Sequence, residues 1–526
     1  MTTTQRPMTL GDMIETMADT LGDRIAVASL ERDYTFAEID ERSTRMANLL
    51  VSLGVQPGDH IAVHSHNRIE WVDAFYGALK ARAVPININY KYLKDELAYL
   101  YDNCDAVVAI VGPEYLEAVE EVRTDRLKHV LVMGPELDAA MESASAERQV
   151  TGRTGDDKYV IYTGGTTGMP KGVEWRQEDL IRGALNASRF GAPFDSLEQL
   201  AEEAKANENP MILLACGPMM HGGSQWILGN AHVAGATVGL FTEKSFDPAK
   251  ILDLVDHAKV VSLTFLGDAM GRPVAETIKN NPGRWDLSSL MAVSNGAAPL
   301  SLAVREQIRE ALPGRFLLDS YGASETGATG QGMDDGSSDG KARFGVSADV
   351  EVFDEDMNPA PVGVTGMLGR TGSIPLGYYK DPVKTAATFR EVNGKRYVIP
   401  GDFAVREEDG SVVVLGRGSV TINTGGEKVH PEEVEAMLKK HDEVFDAVVV
   451  ATPHERWGQQ VTALVHRRDG SELTAEALTE WAKTKISNYK VPKAVFFVDE
   501  VPRTPVAKVD YPASAALAKQ LVEQQG

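Results

Sequence analysis

YVIYTGGTTGMPKGVEW, residues 159–175, decides how the rest of the chain is read. A β-rich run ends in a loop with four glycines, three threonines and a lysine. Successive glycines let neighbouring backbone N–H groups turn inward as an anion-binding nest. Thr163, Thr166 and Thr167 add hydroxyl donors, and Lys171 adds a charge. The composition is that of a phosphate cradle. It is not a Walker-type P-loop, because Pro170 occupies the place of the glycine before the lysine. Gly172 also follows where Ser or Thr would coordinate magnesium. Taken alone, an ordinary Gly/Thr hairpin has the same composition.

Outward from this loop, helix and strand signals alternate. DERSTRMANLLVSLGV (40–55) has apolar residues at helical spacing, HIAVHSH (60–66) follows as a buried strand, and RIEWVDAFYGALKARA (68–83) is helical again. AVVAIV (106–111) and HVLVM (129–133) read as strands, as do MILLACGPM (211–219), ATVGLF (236–241), VVSLTFLG (260–267) and LMAVSNGAA (290–298). Such alternation implies an α/β fold with a mostly parallel sheet. The polar, acidic stretch around 195–209 is expected as an exposed helix or lid, and GMDDGSSDGKARFG (332–345) as a loop. After about residue 345, short strands with EDG-type turns predict a small β-barrel or β-sheet lobe. From a boundary near Arg417, HPEEVEAMLKKH and three further strand runs read as a compact α+β domain.

Charge sets the class of partner. The chain has 53 basic and 76 acidic residues, a net charge of −23. No basic face for nucleic acid is implied, and an anionic membrane would repel the chain. Small polyanions held by local N–H groups and a few lysines are not excluded. Cys104 and Cys216 form no CxxC or zinc spacing, are expected as buried hydrophobes, and suit a cytoplasmic location. The N-terminus lacks a signal-peptide pattern, and no apolar run of about eighteen residues implies a membrane span.

Four further segments carry chemistry. LLDSYGASETG (317–327) ends a strand with Tyr321, able to stack on a base, and Glu325, able to ligate magnesium. RYVIPGDFA places Asp402 after a Gly turn, where a carboxylate can accept from two ribose hydroxyls. LGRGSVTINTGGEKVHPEEVE (415–435) is Gly-rich where a hinge would fall, and VPRTPVAKVDY (501–511) carries Lys508 on an expected loop.

In this order the five motifs resemble the adenylate-forming superfamily of acyl-CoA synthetases, luciferase-like enzymes and peptide-synthetase adenylation domains. The segments 161–179 and 416–435 look most like bacterial ligases for long-chain or steroid-side-chain acids. The resemblance implies a large domain, 1–416, with α/β lobes at about 1–190 and 191–344 and a β-barrel lobe at about 345–416. A small mobile α+β domain, 417–526, follows. It also implies ATP, Mg2+ and CoA: a carboxylate displaces pyrophosphate from ATP, and the CoA thiol then displaces AMP.

The resemblance assigns roles by position. Thr163, Gly164, Gly165, Thr166, Thr167, Gly168 and Lys171 would hold the β- and γ-phosphates. Gly296, Ala297, Ala298, Asp319 and Tyr321 would frame the adenine, with Ser320 and Gly322 beside them. Ser324 and Glu325 would meet the α-phosphate and magnesium, and Asp402 and Arg417 the ribose. Lys508 would bridge the reacting groups in the first step. His221 would stand beside the acyl and pantetheine channels. Thr424, Gly425 and Gly426 would line the thiol's path, with Lys428 next to them. Three positions depart from the usual pattern: Ser324 for Thr, Ser419 for the hinge Asp or Lys, and Ala507 for Gly.

Met219, Met220, Trp226, Phe265 and Leu266 are candidates for the acyl wall, and no basic residue is evident there for a second carboxylate. A carrier-protein-loading enzyme and a non-catalytic nucleotide binder are the competing readings. A homodimer is compatible with the sequence.

Overall fold

The computed structural model describes residues 6–164, 169–186, 189, 192–296, 300, 302–334, 343–354, 356–417, 422–429, 431–502 and 511–525. Strands His60–His64, Val84–Asn87, Ala106–Val111 and His129–Val132 form a parallel sheet with the first two and the third adjacent in the order 84, 60, 106, 129. Parallel neighbours need crossovers, and helices Ile69–Lys80 and Lys94–Asn103 supply them. Helix Phe36–Ser52 begins at a capping box: Thr35 Oγ1 accepts from the Glu38 N–H at 3.2 Å, and Glu38 Oε2 accepts from the Thr35 N–H at 2.8 Å.

A second sheet holds six adjacent parallel strands: Phe316–Ala323, Ala292–Asn295, Ser262–Phe265, Ile212–Ala215, Thr237–Gly239 and Ile25–Ala28. Side chains alternate across a strand. Leu214, Leu263, Phe265, Val293 and Leu317 therefore enter one core, completed by helices Pro248–Ala258, Asp268–Asn280 and Leu302–Ala311. The other parity, which includes Leu213, Thr264, Ser294 and Ser320, lines a cavity beside helix Gly222–Val233.

Beyond Ala323 the sheet turns antiparallel through Gly327–Met333 and Arg343–Val346. It continues through Val412–Arg417, Asp402–Arg406 and Thr365–Arg370. The β lobe expected after residue 345 is thus an extension of the α/β sheet. The 195–209 stretch forms the surface helix that was one of its two expected forms, with one face buried. Helix Leu197–Ala206 buries Leu197, Leu200, Ala201 and Ala204, and packs on helix Leu10–Leu21. Its acidic residues hide a four-residue apolar stripe at helical spacing.

The remaining sheet, built from Ile422–Thr424, Glu427–Val429, Val444–His454, Gly458–Arg467 and Ala494–Phe497, has its own core around Val449, Ala463 and Leu478. Cys104 and Cys216 are free and buried, and burial raises both thiols, Cys104 to about 12. Among the described residues, no helix is long and apolar enough to cross a membrane.

The Gly-rich motif forms an antiparallel hairpin, Lys158–Gly164 with Pro170–Arg176. Gly172 faces Tyr162 across it, and a Cβ there would lie 2.8 Å from Val160 Cγ1 and 2.9 Å from Tyr162 Cε2. Gly172→Val is expected to cost about 1–3 kcal/mol through overpacking. Urea titration should give a lower midpoint with an unchanged slope.

Candidate active site

The hairpin brings Thr163 opposite Lys171, below the turn. Lys171 Nζ stands 3.7 Å from Asp381 Oδ2 and 5.8 Å from the centre of the Tyr378 ring. Burial, then the charge of Lys384, pulls this ammonium below its ordinary value, against the opposing pull of Asp381. Gly165, Thr166, Thr167 and Gly168 lie outside the described residues. Asn87 ties the hairpin to the neighbouring turn: its Nδ2 donates to the carbonyls of Tyr162 and Met220, at 2.9 and 2.6 Å. That turn ends at His221, the residue before helix Gly222–Val233.

Strand Phe316–Ala323 carries the next set. Asp319 is buried and bound to Arg305, with Nη2 2.8 Å from Oδ2, and also accepts from Asn295 Nδ2 at 3.3 Å. Its carboxylate therefore joins two adjacent strands and a helix on the core side of the sheet, and it does not itself line the cavity, unlike a residue that frames the adenine. Ser320, Tyr321, Gly322 and Ser324 line the cavity, as does Gly296 at the end of the adjacent strand. The Tyr321 hydroxyl donates to Asp402 Oδ2 at 2.8 Å. Asp402 and Arg417 are cross-strand partners, so the two ribose candidates share one rung of the ladder. Glu325 is buried and accepts from the Tyr378 hydroxyl at 2.9 Å. Ala297, Ala298, Ser419, Ala507 and Lys508 lie outside the described residues, as do the side chains of Arg417 and Lys428.

The cavity has a volume of about 480 Å³. From Gly296 it follows the sheet back to Met291, five residues of strand or roughly 16 Å at a rise of about 3.3 Å per residue. Of the five acyl-wall candidates, Met220, Trp226 and Leu266 line it, whereas Met219 and Phe265 are in the hydrophobic cores. Phe265 has the wrong strand parity, and the Met219 N–H is held by Asn67 Oδ1 at 2.6 Å.

The small domain closes the near end. Gly425 and Gly426 join two short strands with φ of +59° and +84°, a two-residue turn that favours glycine at both places. A Cβ on Gly426 would lie 3.3 Å from Leu266 Cβ and from its carbonyl oxygen. Glu427 follows and crosses to the large domain: Oε1 is 2.5 Å from Lys91 Nζ, and Oε2 is 3.5 Å from His221 Nε2. Burial pushes this carboxyl up, but His221 and Lys91 outweigh it and hold it down at about 2. Glu427 is therefore ionised at neutral pH. Sequence reasoning did not single out Glu427, although it adjoins the quoted glycines. Lys91 carried no motif that could have marked it.

A family model described as AMP-binding enzyme matches residues 14–379, and one described as AMP-binding enzyme C-terminal domain matches residues 433–508. The chain belongs to the AMP-binding enzyme family. It is 43% identical to a 3-oxocholest-4-en-26-oate–CoA ligase of Rhodococcus rhodochrous, over 96% of this chain and 95% of that protein. It is 41% identical to a medium/long-chain-fatty-acid–CoA/3-oxocholest-4-en-26-oate–CoA ligase of Mycolicibacterium smegmatis, with the same coverage. Its fold matches the o-succinylbenzoate CoA synthetase of Bacillus subtilis with a TM-score of 0.82 at 23% identity, over 98% of this chain and 99% of that one.

Because Gly426 lies against Leu266 in the cavity wall, Gly426→Leu is expected to block delivery of a thiol to an acyl-adenylate and to spare ATP–pyrophosphate exchange. Quenched-flow measurement of each half-reaction checks this, and unimpaired thioester formation refutes the role of the turn.

Proposed function

We propose that this chain is an AMP-forming acyl-CoA ligase for a hydrophobic long-chain or steroid-side-chain acid. The observation that carries the reading is a cavity on which three sets of residues converge. Thr163 and Ser320–Ser324 line one end, which would take the nucleotide, Met211 and Met291 line the far end, and Gly426 and Glu427 the small-domain side. Near full-length identity to ligases named for such acids supports the substrate class.

The acid's carboxylate would attack the α-phosphate, forming a C–O–P link and breaking the bond to pyrophosphate. Lys508 would steady the charge on the transferring group. Ser324 and Lys171 would orient the phosphates, while Asp402 and Arg417 would hold the ribose. Magnesium favours one or two carboxylates together with substrate phosphate oxygens. Buried Glu325, oriented by Tyr378, fits that demand. Bound magnesium would offset phosphate charge there. Water must be excluded, since an acyl-adenylate hydrolyses.

In the second step the CoA thiol would attack the acyl carbon. A C–S bond forms, the C–O bond to AMP breaks, and AMP leaves with the electron pair. His221 lines the cavity and would take the thiol proton, while Glu427 would stabilise the imidazolium that forms. One domain serving both steps by rotation matches the Gly-rich segment at its start.

A hydroxyl pair refines the substrate. Ser262 Oγ and Ser294 Oγ are 3.3 Å apart on the cavity face of adjacent strands, with Thr264 beside them. One proton spans the pair, which leaves one hydroxyl able to donate to an oxygen on the acid. This favours an oxygenated, steroid-like acid over a plain alkyl chain. With ATP and CoA, mass spectrometry of an acid panel should give thioesters of long and steroid-side-chain acids. Rapid turnover of acetate or small aryl acids alone overturns the reading. Ser262→Ala with Ser294→Ala should lower kcat/KM about tenfold for an oxo acid and leave a plain chain unchanged. Lys508→Ala should abolish pyrophosphate exchange while thioester formation from supplied acyl-adenylate continues; equal loss of both steps refutes its assignment.

A further inference from the structure

The two domains meet at a second buried carboxylate, Glu96, which does not line the cavity although its partner Lys490 and the neighbouring Tyr92 and Tyr489 do. Glu96 is the third residue of helix Lys94–Asn103, and its Oε2 caps the Leu93 N–H at 3.0 Å. The same oxygen accepts from Ser487 Oγ of the small domain at 2.6 Å. Its Oε1 accepts from Lys490 Nζ, also at 2.6 Å. The side chains of Glu96 and Lys490 are only 5% and 4% exposed, and Ser487 is fully buried. The Lys490 ammonium also lies 5.1 Å from the centre of the Tyr92 ring and 5.7 Å from that of Tyr489.

We propose that Glu96 is a positioning residue that latches the small domain in the thiol-transfer arrangement. This rests on the two-step reading above. Ser487 and Lys490 are three residues apart, and each meets a different oxygen of one carboxylate. Few orientations of the domain satisfy both bonds. A buried charge without its partner is strongly unfavourable, so the pair enforces a register as well as adding attraction. In the register observed, Gly426 rests on Leu266 and Glu427 reaches His221 and Lys91. When the domain rotates to bring Lys508 to the nucleotide, Lys490 must leave Glu96, which then returns to water while still capping its helix. Glu96 is therefore needed for the second half-reaction and dispensable for the first.

Glu96→Gln removes the charge and keeps a side chain that suits the capping box. ATP–pyrophosphate exchange is expected to stay within about twofold of wild type, while single-turnover thioester formation at saturating CoA falls on the order of 100-fold. Adding Lys490→Met removes the stranded ammonium and should restore part of that loss. Spin labels on cysteines introduced at exposed Lys94 and Lys485 read the docked population directly, because the two native thiols are buried. The docked distance should be populated in wild type and depleted in Glu96→Gln. If both half-reactions fall together, or the distance distribution is unchanged, the latch is refuted. If wild type makes no thioester but the distance still responds to Glu96→Gln, the ligase reading fails and the latch stands.

Discussion

The alternation of side chains across four parallel strands is the constraint on which the site depends. In Ile212–Ala215, Ser262–Phe265, Ala292–Asn295 and Phe316–Ala323, one parity is spent on a core against three helices and the other is left for the cavity. Because the strands are parallel and in register, their C-terminal ends finish together, so Gly296, Ser320 and Leu266 converge on one rim. Loops beyond the carboxyl ends of such strands are where open α/β sheets hold ligands. The hairpin and the His221 turn are fastened to each other by Asn87 of the other parallel sheet, and strand Phe316–Ala323 is fastened to helix Leu302–Ala311 by the Asp319–Arg305 pair. These buried polar groups fix where the cavity-lining segments sit.

Most of the fold was legible because its signals are local. The strand runs at 60, 106, 129, 212, 262 and 292 and the helices at 36 and 69 all appear where periodicity and glycine turns put them. Parity was less legible. Phe265 and Leu266 are both apolar neighbours, and no local pattern says which one faces the acid; packing by helices distant in sequence decides it. The surface helix at 197–206 was legible but its inner face was not, since its four buried residues matter only once Leu10–Leu21 lies beneath them. The Gly-rich and acidic motifs were legible as short runs of glycines, hydroxyls and carboxylates, and the cavity gathers Thr163, Gly296, Ser320 and Ser324 from them. The interdomain partners were not, because Lys91 and Glu427 are 336 residues apart and Glu96 and Lys490 are 394 apart.

Bulk charge does not bring the domains together. Residues 417–526 hold 14 basic and 16 acidic side chains, nearly neutral against a large domain that carries almost all of the −23. At physiological ionic strength, fields fade over about 8 Å. Orientation therefore falls to local contacts, and these are reciprocal in kind: the large domain offers buried Glu96 to Lys490, and the small domain offers buried Glu427 to the more exposed Lys91 and His221.

Such contacts would suit a domain that undocks between two half-reactions. Stripping water from a carboxylate and an ammonium costs about as much as their pairing returns. The buried Glu96–Lys490 pair can then define one orientation without adding much net stability to it, and the Glu427–Lys91 pair, whose lysine is exposed, adds little more. An apolar patch of equal area would be pulled apart only at the full cost of re-exposing it to water, about 25 cal/mol per Å². The turn at Gly425–Gly426 follows the same logic, since it touches Leu266 through backbone alone and leaves no side chain to be extracted. The interface is thus selective in geometry and modest in strength, which is the combination that one domain needs if it is to serve two successive reactions.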